Sequence, residues 1–157
     1  MLYFAYGSNM DLEQIRERCP SAGFQFRAKL PDHELGFTRK SRRRGCGVAD
    51  AVPTDGGEVW GVVYEIDEEH VPCLDRWEGY GPYRAECRNA YVRKKCTVLK
   101  EGEPARRLEV FTYFANRQPD PPPPSESYMQ LITEAAKCWG LPHDYVRQLE
   151  ETPVQER

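Results

Sequence analysis

The sequence predicts an α+β protein, a small, mostly antiparallel β-barrel flanked by helices. Three observations carry that prediction. β-rich runs fill the centre of the chain, helical periodicity is confined to two junctions and the C-terminal third, and the two do not alternate as a parallel βαβ sheet would require. At 157 residues the chain is long enough for one core, so residues 1–157 are read as a single domain.

Taken in order, Leu2, Phe4 and Tyr6 alternate with Tyr3 and Ala5 and read as a strand breaking at Gly7. Ser8 with Asp11 fits a capping box opening a helix, with Leu12, Ile15 and Cys19 on one face and Pro20 at its end. Strands are expected over 24–30, 47–52 and 58–66, the last following an Asp55-Gly56-Gly57 turn. A short helix covers 71–77, with Pro72 in its first turn and Gly79 just past its end. Two longer strands, 83–99 and 108–115, flank a turn at Glu101-Gly102-Glu103-Pro104. The run from Pro119 to Pro124 cannot be helix or inner strand and reads as a stiff connector. After it, Tyr128, Leu131, Ile132 and Ala135 mark a helix ending near Gly140, and Pro142 opens a last one.

Composition excludes several classes. With 22 Lys+Arg against 25 Asp+Glu the net charge is −3, and apolar stretches such as 59–64 are far too short to cross a bilayer. The N-terminus has neither a basic leader nor a small-residue cleavage site, so a cytoplasmic location is expected. The six cysteines show no C-x-x-C and no His at ligand spacing; they are read as free thiols, mostly buried. No metal and no cofactor is expected, and His33, His70 and His143 sit in polar contexts that select no Cys/His nucleophile.

Three stretches could carry chemistry. At Tyr6-Gly7-Ser8-Asn9 a strand breaks into a helix start, which leaves backbone N–H groups unpaired and able to hold a carboxylate; on spacing alone, a capped helix with nothing bound is the commoner outcome. Glu78 ends the 71–77 helix beside Trp77 and Tyr80, where the helix dipole and aromatic surroundings disfavour its charge and suit it to acid–base work. Taken alone, an exposed Glu before a helix-ending Gly is the commoner outcome. The third, Arg39 to Arg44, carries five positive charges; a mobile solvated loop is the stronger reading, and attraction of an acidic substrate the second.

Together these stretches resemble the γ-glutamylcyclotransferase family, in order and approximate spacing over nearly the whole chain. The resemblance rests on residues 3–10 (Tyr-Phe-Ala-Tyr-Gly-Ser-Asn-Met), Gly45-Cys46-Gly47-Val48-Ala49, Glu58 to Tyr64, and Leu74-Asp75-Arg76-Trp77-Glu78-Gly79. It ends with the Pro-rich connector, Tyr128 and Gly140-Leu141-Pro142. It implies a barrel in which the Tyr-Gly-Ser-Asn loop and the Glu meet in one cavity, and an enzyme that cyclises a γ-glutamyl group to 5-oxoproline and releases the attached amine or amino acid. By the same resemblance Tyr6, Gly7, Ser8, Asn9, Met10, Tyr83 and Tyr128 bind substrate, Glu78 is the catalytic acid–base residue, and Arg84 is a weaker contact. Asp11 and Asp50 depart from the family pattern and are expected to alter the pocket mouth. The implied partner is a small γ-glutamyl molecule, with no nucleic acid and no membrane, on a monomer or homodimer. The rivals are a non-catalytic module binding a metabolite or nucleic acid, and a hydrolase or amine transferase on the same fold.

Overall fold

The computed structural model describes residues 1–103 and 105–156. Leu2–Ala5 forms β1, and Tyr3, Phe4 and Ala5 are all buried because the strand lies inside a closed sheet. The other strands are β2 (Gly23–Lys40), β3 (Gly47–Glu65), β4 (Tyr91–Lys100) and β5 (Arg107–Ala115), ordered β1-β3-β2-β4-β5 around a closed barrel. All pairings are antiparallel except β1 with β5, where Tyr3 lies opposite Phe111. The helices are α1 (Leu12–Arg18), α2 (Val71–Trp77), α3 (Glu126–Trp139) and α4 (His143–Glu150). No helix among the described residues is long and apolar enough to cross a membrane.

Several boundaries differ from the sequence expectations. The three central strands merge into one long hairpin, β2 and β3, whose connection is the basic segment: Ser41 N–H donates to Cys46 O at 2.9 Å, and Gly45 N–H to Ser41 O at 2.8 Å. Asp55-Gly56-Gly57 is therefore no chain reversal. It belongs to a bulge in which Pro53 to Glu58 oppose Pro31 to His33, and Gly56 N–H donates to the Asp32 carboxylate at 3.1 Å. Turn-forming residues serve a bulge as well as a hairpin, and local sequence does not distinguish them.

β4 begins at Tyr91 rather than Tyr83. Residues 79–90 form a loop with one 3₁₀ turn, held by buried Asn89, whose side-chain oxygen accepts from Gly81 N–H at 2.9 Å. The turn expected at 101–104 falls partly outside the described residues, since Pro104 is not among them. Asp11, not Ser8, caps α1: Ser8–Met10 first makes a 3₁₀ turn, and the Asp11 carboxylate then accepts from Gln14 N–H at 2.9 Å. α2 matches its expected bounds, and α3 ends at Gly140 with φ 73°, the left-handed cap.

The Pro-rich connector packs across the start of β3, where Gly47 N–H donates to Pro123 O at 3.0 Å. A Cβ on Gly47 would come within 2.0 Å of Pro122 O, so the close approach requires glycine. Of the six cysteines only Cys19 and Cys46 are buried; Cys73 and Cys96 are half-buried and Cys87 and Cys138 exposed, which corrects the expectation of mostly buried thiols.

Candidate active site

Three elements converge at one end of the barrel: the turn after β1, the C-terminus of α2 and the first residues of β3. Between them lies a cavity of about 630 Å³. Glu78 follows the last residue of α2, its N–H donating to Leu74 O at 3.0 Å, and Gly79 with φ 66° then turns the chain away. A Cβ on Gly79 would sit 2.8 Å from the Ala90 Cβ, so both conformation and space demand glycine here. One turn earlier, buried Asp75 ties α2 to the barrel by accepting from Tyr113 O–H at 2.6 Å and from the Arg93 guanidinium at 2.9 Å.

The Glu78 carboxylate accepts from the Asn9 side-chain N–H at 2.8 Å. Asn9 is buried and uses both ends of its amide: it also donates to the Tyr3 hydroxyl at 2.9 Å, while its oxygen accepts from Arg18 at 2.9 Å and Gln14 at 3.0 Å. Loss of hydration raises the Glu78 pKa above the ordinary carboxylate value; Arg18, the Asn9 hydrogen bond, Arg43 and Arg44 pull the other way without cancelling it. Glu78 is half-buried as a residue because one side faces the cavity.

Tyrosines form much of the remaining floor. Tyr6 O–H donates to Tyr113 O at 2.5 Å, and Tyr91 O–H to Ala49 O at 2.6 Å. The Tyr128 oxygen instead accepts from Ala49 N–H at 3.0 Å, which leaves its own proton for a ligand. Burial pushes Tyr128 up to about 12, so that proton stays on at neutral pH.

The model of the AIG2-like family matches residues 58–149, a span that includes Glu78 and Tyr128. The mouse protein named γ-glutamylcyclotransferase is 34% identical across 99% of this chain and 80% of its own length, and the bovine protein of that name is 35% identical across 94% and 76%. The chain belongs to the γ-glutamylcyclotransferase family. A solved γ-glutamyl cyclotransferase superposes with a TM-score of 0.89 at 30% identity, covering all of this chain and 90% of the other. This family's closed barrel with flanking helices is thus the fold found here.

Of the residues assigned to the γ-glutamylcyclotransferase site from sequence, Tyr6, Gly7, Ser8, Asn9, Glu78, Arg84 and Tyr128 line the cavity. Met10 and Tyr83 do not. Met10 is fully buried beneath the turn, its carbonyl accepting from Tyr64 O–H at 2.9 Å and Trp139 N–H at 2.6 Å. Tyr83 is completely exposed on the 79–90 loop; with β4 starting eight residues later, Tyr91 supplies the cavity tyrosine. The Asp11 carboxylate caps α1, as above, and Asp50 is fully buried, accepting from Thr38, Ala115 and Arg117, so neither carboxylate shapes the mouth.

The basic segment is not a free loop. Arg44 donates to the Gln14 side-chain oxygen at 2.9 Å and lies over Tyr128, Arg43 lies over Trp77, and Arg39 donates to Asn116 O at 3.1 Å. Sequence reasoning passed over Gln14 and Arg18, four residues apart on one face of α1, though that spacing aims both at Asn9.

Proposed function

We propose that this enzyme cyclises the γ-glutamyl group of a γ-glutamyl amino acid or amine to 5-oxoproline, with Glu78 as the acid–base catalyst. The observation that carries the reading is the Glu78 carboxyl, with its raised pKa, held by Asn9 on the floor of a cavity that also contains the Tyr6–Asn9 turn. The substrate's own α-amine is the nucleophile, so proximity replaces an enzyme nucleophile. Glu78 takes a proton from the ammonium, the nitrogen attacks the γ-carbonyl carbon, and a tetrahedral oxyanion forms. As the bond to the leaving nitrogen breaks, Glu78 returns the proton to it, the second proton of the ring nitrogen follows to the released amine, which departs as an ammonium, and no water is consumed. The N–H groups of Ser8 and Asn9, at the start of a turn that offers them no internal acceptor, suit the substrate carboxylate or the oxyanion, and the Tyr128 proton is a further donor.

Mass spectrometry of products formed in ¹⁸O-labelled water tests the reaction class. Unlabelled 5-oxoproline is expected; labelled glutamate would mean hydrolysis and would overturn the cyclisation.

The turn itself is tested at Gly7. A Cβ there would lie 3.2 Å from the Ala49 Cβ and 3.8 Å from the Tyr128 oxygen. Gly7→Val adds two further methyl groups in that direction and should raise KM at least ~10-fold. An unchanged KM would remove this turn from the binding site.

A further inference from the structure

The cavity separates by chemistry into a floor and a mouth. Its floor is built from buried Tyr3, Tyr6, Asn9, Tyr113 and Tyr128 around Glu78. Its mouth is cationic: Arg42 and Arg43 on the β2–β3 connection and Arg76, Arg84 and Arg88 on the α2 side are all exposed and all line it. Over the whole cavity, nine Lys and Arg side chains face a single carboxylate, Glu78, in a chain whose net charge is −3. Among the described residues none of the nine is paired with a carboxylate, although Lys and Arg elsewhere form ion pairs, as Lys29 does with Glu58 and Arg93 with Asp75.

Such an excess exceeds what the glutamyl half of a substrate requires, since its single α-carboxylate can be held at the Tyr6–Asn9 turn. The unpaired cations lie where the departing half would emerge. They enclose a concave site, and the exposed Trp77 ring is already covered by Arg18 and Arg43 at 5.0 and 5.1 Å, which leaves it a poor platform for stacking nucleic acid bases.

We infer that the mouth selects γ-glutamyl compounds whose leaving half carries two or more negative charges, such as an acidic amino acid, over isosteric compounds with fewer. The inference rests on the cyclisation proposed above and adds the class of leaving group. Arg42, Arg43, Arg76, Arg84 and Arg88 set this preference, acting on capture of the substrate more than on the bond-making step.

The test compares γ-glutamyl-glutamate with γ-glutamyl-glutamine, which differ in one charge and scarcely in shape, by the rate of 5-oxoproline release. The dicarboxylate leaving group should give a kcat/KM about five- to tenfold higher at low ionic strength, mainly through KM, with the ratio approaching one in 0.5 M salt, a concentration chosen to compress the Debye length to about 4 Å. The double variant Arg84→Gln/Arg88→Gln should lower the ratio at low salt. Equal kcat/KM values for the two dipeptides, or a ratio insensitive to salt, would overturn the preference while leaving the cyclisation standing. If neither dipeptide yields 5-oxoproline while γ-glutamyl-alanine does, the preference is wrong; if none of the three does, the cyclisation reading falls and the preference with it.

Discussion

Glu78→Gln is expected to leave a folded protein whose 5-oxoproline release falls by ~10²–10⁴-fold, the range a positioned general acid–base group supplies. The amide keeps an oxygen able to accept the Asn9 N–H, so the 2.8 Å contact and the cavity shape should survive. Because burial raises the folded-state pKa of Glu78, the native protein holds this proton more tightly than the unfolded chain does. That contribution to stability is complete below the unfolded value and is lost as pH rises through the folded one. The Gln variant lacks this loss, so its Tm should exceed that of the wild type at neutral pH, with the gap closing on acidification through the carboxylate range. The wild-type kcat/KM should fall along an acidic limb whose midpoint lies above the usual glutamate pKa. Retained turnover in the Gln variant would remove Glu78 from the mechanism whatever the melting data say.

Asn9→Leu should produce the second-largest effect, and on both stability and rate. Leucine keeps the branched shape and the number of side-chain heavy atoms but breaks all four hydrogen bonds made by the Asn9 amide, to Glu78, Tyr3, Arg18 and Gln14. Arg18, itself buried, would lose its acceptor, and its burial already lowers its pKa from the usual arginine value. Leaving a buried charged donor unsatisfied costs about 3 kcal/mol, which at this chain length lowers Tm by about 6–12 °C. Activity should fall a further ~10–10²-fold in molecules that remain folded, because Glu78 loses the donor that favours its ionised form. The acidic limb of the pH profile should therefore move up. A variant with reduced Tm but an unchanged pH profile would make Asn9 a packing residue rather than a positioning one.

Several parts of this arrangement were legible in the residues. Leu2 to Ala5 alternates as a strand should, Pro72 and Gly79 bracket α2, and Gly140 ends α3, because each signal depends on neighbours within a few positions. The position of Glu78 is legible for the same reason, as a carboxylate at a helix C-terminus beside aromatic residues. The Asp55-Gly56-Gly57 reading failed because a bulge and a hairpin use the same residues, and only pairing with β2 decides between them. The strand expected from Tyr83 starts only at Tyr91, because the intervening loop is fixed by contacts of Asn89 that depend on the folded chain.

The sequence by itself determined the α+β class, the helix boundaries set by proline and glycine, and the resemblance that pointed to the Tyr6–Asn9 turn and Glu78. Only the tertiary structure decided that Asn9 holds Glu78 across 69 positions of chain, that Tyr91 rather than Tyr83 lines the cavity, and that Arg39 to Arg44 lines it too. The physical reason is range: caps, turns and periodicity are interactions of near neighbours, whereas the burial that tunes a carboxylate and the charge that surrounds it come from segments joined only when the barrel closes.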